Sequence, residues 1–255
     1  MKVHLAGIAG MKKEIESGVI DATGTFMLES FYSFKDWQIP LIKKCGSFLL
    51  DSGAYTFMQA ASKHGNTDWM KYADSYADFI KAHGVTQYFE LDIDNLMGLK
   101  YVEKLRDRIE SRSGVQCIPV WHVERGKDYF EWMVKNYKFV ALGSIANVVP
   151  GKQRITDRYF PYFLNTAHKE GCKVHALGYT NLEGLKKYRF DSVDSTTWTA
   201  GSRFGQVCVF RDGTIKKIAS IEKGQKVRSI RRDVNISLFN FREWLKFQQY
   251  ADKFL

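Results

Sequence analysis

Carboxylates stand at the ends of several apolar runs in this chain. The stretch Phe190-Asp191-Ser192-Val193-Asp194-Ser195-Thr196-Thr197-Trp198 reads as a buried strand that ends in a polar cluster. An acid leaving a strand, followed by small hydroxyl residues, suits a nucleophile. It suits equally an Asp that caps the next helix. Asp191 is the first choice as nucleophile and Asp194 its rival; strand period places the two on opposite faces unless the strand has already ended. Ser47 to Tyr55 repeats the theme: three apolar residues lead into Asp51, and Ser52-Gly53 break the strand. Gln87 to Asp94 reads as a strand carrying Glu90, Asp92 and Asp94. Period two puts all three on one face, and like charges in a row make poor structural cement. His122 and His175 also fall at strand ends, where a lone His is more often a satisfied polar residue than a catalyst.

Alternating elements must hold these residues. Short strands are expected at Lys2–Gly7, Ser47–Asp51, Gln87–Asp94, Cys117–Glu124, Phe139–Ile145, Lys173–Thr180 and in Phe190–Trp198. Helical spacing appears between them, at Asp68–Ala82 (capped by Thr67), Tyr101–Ser111, Tyr129–Asn136, Arg158–Glu170 and Leu182–Tyr188. Gly24 to Trp37 reads as a helix near the mouth. Strand–helix alternation argues for a parallel sheet with helical crossovers. The expected fold is α/β, a (β/α)8 TIM-like barrel in one domain over residues 1–255, with its site at the C-terminal strand ends; an open doubly wound sheet is the alternative. Beyond Trp198, Gln206–Phe210 and Thr214–Ile218 form a hairpin around Asp212-Gly213. A basic run (Lys223 to Arg232) and a last helix (Ile236–Phe254) complete the chain.

The chain has 255 residues and a formal net charge of +10, with a pI of about 9.3. So basic a balance points to a polyanion, most simply nucleic acid. Arg203, Arg211, Lys226, Arg228, Arg231 and Arg232 are candidates to hold phosphates. The four cysteines form no Cys-x-x-Cys pair, so a zinc site is not expected; buried thiols in a reducing cytoplasm are. No apolar run approaches the ~20 residues of a membrane span, so no membrane partner is expected. No Gly-x-Gly-x-x-Gly or Gly-x-x-x-x-Gly-Lys is present.

Five stretches, in order over residues 47 to 198, together resemble the tRNA-guanine transglycosylase superfamily, which includes related DNA transglycosylases of bacteria and phages. Asp51-Ser52-Gly53-Ala54-Tyr55 looks like the family's Asp-Ser-Gly-Gly-Phe segment, and Leu91-Asp92-Ile93 like its Phe-Asp-Glu. Gly143-Ser144-Ile145-Ala146 is similar to Gly-Gly-Leu-Ala, His175-Ala176-Leu177-Gly178 to Tyr-Leu-Met-Gly, and Phe190-Asp191-Ser192-Val193 to Phe-Asp-Cys-Val. The family's Gln-Gly is replaced by Trp121-His122, its Pro-Thr-Arg by Ser195-Thr196-Thr197, and its cysteine-rich zinc subdomain has no counterpart.

The resemblance implies a base-exchange enzyme that replaces guanine with a 7-deazaguanine through a covalent Asp–sugar intermediate. Asp191 would be nucleophile and Asp51 proton shuttle. Asp92, aided by Asp94, would read the base edge. Ser52, Gly53, Gly143, Ser144, Ile145, His122, Leu177 and Gly178 would line the base pocket, with Tyr55 or Leu177 against its flat face. Partners would be the free 7-deazaguanine base and nucleic acid, DNA favoured and tRNA possible, with neither metal nor organic cofactor. The setting would be cytoplasmic, the host cytoplasm for a phage protein. A non-catalytic nucleic-acid-binding barrel and an N-glycoside hydrolase are the competing readings.

Overall fold

A computed structural model describes residues 1–54, 56, 67–143, 145, 155–199, 206–219 and 234–255. Seven parallel strands form one curled sheet: β1 (Lys2–Ala6), β2 (Phe26–Ser30), β3 (Ser47–Asp51), β4 (Val120–Trp121), β5 (Phe139–Leu142), β6 (Lys173–Ala176) and β7 (Ser192–Ser195). Their order is β3-β2-β1-β7-β6-β5-β4, a TIM-like α/β half-barrel. The first strand therefore sits in the middle of the sheet, against the last.

The expected eighth strand is not formed as such. Of Gln87–Asp94, only Tyr88 and Phe89 are paired, by single bridges to Leu50 and Ile118. The chain then turns tightly, with Ile93 N–H donating to the Leu91 carbonyl, and Asp94 opens a short helix. Three other expectations shift. Gly24–Trp37 holds β2 rather than a helix; Phe26 to Glu29 are all buried, and a short run buried on both faces has no periodicity to distinguish the two. Cys117–Glu124 contracts to Val120–Trp121, since Pro119 has no N–H to give a ladder. Asp68, not Thr67, caps the next helix, its Oδ1 accepting from Lys71 N at 3.0 Å.

Among the described residues the helices are α1 (Lys12–Glu16), α2 (Ile39–Lys44), α3 (Trp69–His83), α4 (Asp94–Met97), α5 (Leu99–Ser113), α6 (Lys127–Asn136), α7 (Phe160–Lys169), α8 (Leu182–Lys187) and α9 (Val234–Phe254). Strand parity divides the apolar side chains into two cores. Ala6, Leu28, Leu49, Phe89, Ile118, Val120 and Ala141 make a small one on the concave side. Alternate positions, such as Leu5, Met27, Val140 and Val193, join the larger core under the helices. The expected hairpin forms as β8 (Gln206–Arg211) and β9 (Thr214–Ala219), with Asp212 and Gly213 both at positive φ. All four cysteines are free, and Cys117, Cys172 and Cys208 are buried. Among the described residues no helix is long and apolar enough to cross a membrane.

Two buried amides on α9 fasten the ends of the chain to the sheet. Asn240 accepts from Cys208 N and donates to the carbonyls of Trp198 and Gln206. Gln248 accepts from Phe26 N at 3.1 Å and donates to the Val3 and Phe26 carbonyls, each at 2.8 Å. Gln248→Leu keeps the volume and strands three buried backbone groups. It is expected to cost about 2–4 kcal/mol, read as a lower urea midpoint at unchanged slope. An unchanged midpoint would mean that water replaces the amide.

Candidate active site

Val193, Ala176, Leu142 and Trp121 are successive ladder partners across β7, β6, β5 and β4. β6, β5 and β4 end at this level, while β7 runs on to Ser195, with Asp194 paired to His4. The next residues, Asp194, Leu177, Gly143 and His122, therefore stand at one level. All four have the parity of the concave core.

Asp194 is fixed by two hydrogen bonds on a single oxygen. Gly178 N–H donates to its Oδ1 at 2.6 Å, and Nε2 of the fully buried His175 lies 3.2 Å from the same atom. Oδ2 takes no part in either. Asp51 ends β3. Gly53 N–H donates to its Oδ2 at 3.1 Å, and Gly53 reaches that position at φ +80°, where a Cβ would collide with Tyr32. Ser52 is fully buried, its carbonyl accepting from Tyr72 Oη at 2.6 Å. Ser52 and Gly53 thus shape the Asp51 turn rather than face a ligand. Burial first, then the charge of Asp92 and more weakly of Asp194, push Asp51 up to about 7 against the Gly53 N–H. Asp92 and Asp194 thus lie close enough to Asp51 for their charges to act on it.

Asp92 pairs with His122, Oδ2 to Nε2 at 2.9 Å. Burial opposes a charge on His122, but the hydrogen bond and charge of Asp92 outweigh it, and the imidazole sits above its ordinary pKa. Gly143 makes room for this ring: a Cβ there would lie 2.6 Å from its Nδ1. Gly143→Ala is expected to tilt His122 off Asp92 and lower activity by about 10²-fold with little loss of stability. Turnover in whatever reaction the site performs and thermal melts check it. Wild-type activity would show that the ring can shift without consequence.

Asp191 stands elsewhere. β7 begins after it, so it lies at the entrance of the strand, about 10 Å along the rise from Asp194. Its carbonyl accepts from Lys2 N. Its Oδ2 accepts from Val174 N at 2.8 Å and meets His168 Nε2 at 2.9 Å, staples between β7, β6 and α7. The assignment of Asp191 as nucleophile is therefore corrected. Nor do Glu90, Asp92 and Asp94 form one repelling face. Arg125 bridges Asp94, by two bonds of 2.5 and 2.7 Å, to buried Glu90 at 2.6 Å, and Arg106 backs Glu90 at 3.0 Å. Burial would raise the Asp94 pKa, but Arg125 outweighs it and holds it down. Asp94, expected to help read a base edge, is thus held in an ion pair with Arg125.

Leu177 lies beside the concave core, and Ile145 is buried. Tyr55, Ser144, Arg203, Lys226, Arg228, Arg231 and Arg232 lie outside the described residues. Arg211 is exposed at the hairpin end, with Asp212 3.9 Å away. Arg125 and Arg106 have no local sequence signal. Nor does Asp194: a helix ending near Tyr188 with a connection of ~2–6 residues allows the strand to start at Asp191 or beyond it. Among the described residues no group of three or more His, Cys, Asp or Glu side chains is arranged to hold a metal ion.

No protein-family model matches this chain, and no curated protein matches it.

Proposed function

We propose that the protein is a base-exchange transglycosylase that replaces guanine with a 7-deazaguanine in nucleic acid, DNA favoured, with Asp194 as nucleophile and Asp51 as proton shuttle. One observation carries the reading: Asp51, at the C-terminal end of β3, and Asp194, near the C-terminal end of β7, lie on the concave face of the sheet, Asp194 tethered through one oxygen and Asp51 pushed up to about 7 by burial first. The likeness of the Asp51 and Asp92 segments to the transglycosylases supports it, although that likeness would put the nucleophile on Asp191, and the net charge of +10 suits a polyanion.

The transition state of such a reaction is oxocarbenium-like. Asp194 Oδ2 attacks C1′ of the nucleoside. The bond from C1′ to the ring nitrogen breaks, its electron pair goes to the departing guanine, and Asp51 gives that base a proton. The incoming deazaguanine then loses its ring N–H proton to Asp51. Its nitrogen attacks C1′, releases Asp194 and restores both acids. A carboxylate with a pKa near 7 can serve in both directions at neutral pH. Asp92 accepts from the N–H donors of the guanine edge, with His122 setting its angle. A guanine inside a duplex must be flipped out to reach this mouth.

The test is exchange of labelled guanine into duplex DNA, single-stranded DNA and bulk tRNA in parallel. Label entering DNA supports the reading; label entering only tRNA moves the substrate to tRNA. Abasic sites without incorporation would make the protein an N-glycoside hydrolase. Tight binding with neither outcome would leave a non-catalytic binding barrel.

A further inference from the structure

A buried Ser–His–Asp chain runs along the concave side of the sheet and ends on Asp194. His175 has no exposed surface. Its Nδ1 lies 2.7 Å from Ser192 Oγ and its Nε2 3.2 Å from Asp194 Oδ1. Phe89 and Phe139 hold the ring, their centroids 5.0 and 6.4 Å from it. Ser192 is only 3% exposed and lies two residues, about 7 Å, below Asp194 on the same strand. Neither residue can touch a sugar or a base at the mouth, so this is not a hydrolytic triad. Its terminus is the carboxylate, not the serine.

We propose that Ser192 and His175 are positioning residues for Asp194. The proposal rests on the reading of Asp194 as nucleophile. A carboxylate oxygen only accepts, so Nε2 must carry a hydrogen. In the neutral ring Nδ1 is then the acceptor, and the Ser192 hydroxyl donates into it. Ser192 thereby selects the tautomer, and the tautomer selects the donor to Oδ1. With Gly178 N–H on the same oxygen, the carboxylate loses its rotation about χ2 and presents Oδ2 to the mouth. Such orientation matters because attack on C1′ is steep in angle and distance; a displacement of 1 Å can cost about 10²-fold.

The test uses the full chain with His175→Phe, His175→Gln and Ser192→Ala. Single-turnover guanine exchange, trapped polymer–protein adduct, KM for the free base and thermal melts are measured together. The ¹⁵N shifts of the His175 ring report its tautomer. His175→Phe is expected to lower kcat and the adduct-forming rate by about 10²-fold, with KM for the base within about threefold. His175→Gln, whose amide N–H can still reach Asp194, should recover most of that loss. Ser192→Ala should cost about tenfold, the worth of one hydrogen bond, and mix the tautomers. Wild-type kcat in His175→Phe overturns the proposal, as does an Nδ1–H tautomer in the wild type. Should His175→Phe fail to fold, Ser192→Ala decides: unchanged kcat and tautomer also overturn it. A wild type that exchanges no base, with the Nε2–H tautomer intact, fails the transglycosylase reading instead and removes the catalytic role of the relay with it.

Discussion

Asp194→Asn is expected to abolish base exchange, by about 10⁴-fold or more in kcat, while Asp191→Ala leaves kcat within about threefold. The two acids are three residues apart and chemically alike, so the pair is its own control. Asp194 stands near the C-terminal end of β7, close enough for its charge to act on Asp51. Asp191 precedes the strand and ties it to Val174 and His168. Loss of the Asp191 carboxylate removes a staple, for which about 1 kcal/mol of stability is expected, with no change in chemistry. The decisive experiment traps the covalent adduct between polymer and protein and maps the modified residue by peptide digestion. An adduct on Asp191, or an active Asp194→Asn variant, would return the nucleophile to the other end of the strand.

Asp51→Asn is expected to lose about 10²–10⁴-fold in exchange rate and, unusually for a site variant, to gain stability at alkaline pH. Burial first, then Asp92 and Asp194, raise the Asp51 pKa from its ordinary value near 4 to about 7. Between those values the folded protein holds a proton that the unfolded chain has released. Stability from this group is therefore fully present below pH 4 and is lost as pH rises through 7. Asparagine cannot ionise and escapes the penalty. At pH 8 the variant should melt about 2–6 °C above the wild type, and the gain should vanish by pH 4. Glu29, which burial also pushes to about 7 against bonds from Ile8 N and Gln38, titrates alike in both proteins and cancels in the difference. The kinetic sign follows from the same proton. Departure of guanine needs protonated Asp51, so the wild-type cleavage step should fall as pH rises through about 7, while the residual step of Asp51→Asn stays flat. A wild-type profile level from pH 5 to 9, or a variant less stable at pH 8, would show that Asp51 ionises as an ordinary carboxylate.

What lay open in the sequence was local. Apolar runs of four or five residues that stop at Asp, Gly or His can be read without a structure, since burial and backbone preference act over those few residues. They placed β3, β5, β6 and the hairpin, and marked Asp51, Asp92, Gly143, His122 and Gly178. Helical spacing likewise placed α3, α5, α6 and α9. Runs buried on both faces are ambiguous: Phe26 to Glu29 carries no period and suits a helix as well as a strand, and Gln87 to Asp94 has the pattern of a strand although only Tyr88 and Phe89 pair.

Register, which is non-local, decided the rest. Which acid of Phe190-Asp191-Ser192-Val193-Asp194 reaches the mouth depends on where Val193 pairs with Ala176 and Val3, and a shift of one residue would turn every side chain to the other face. Charge partners were equally hidden. Asp94 looked available until Arg125, from 31 residues away, was found to hold it. The sequence by itself determined the residue types and the strand ends that offer them, because those follow from short-range burial. Only the tertiary structure decided which carboxylates meet, which are neutralised by arginine and which hold the scaffold, because those outcomes depend on ladder register and on partners brought together by the curl of the sheet.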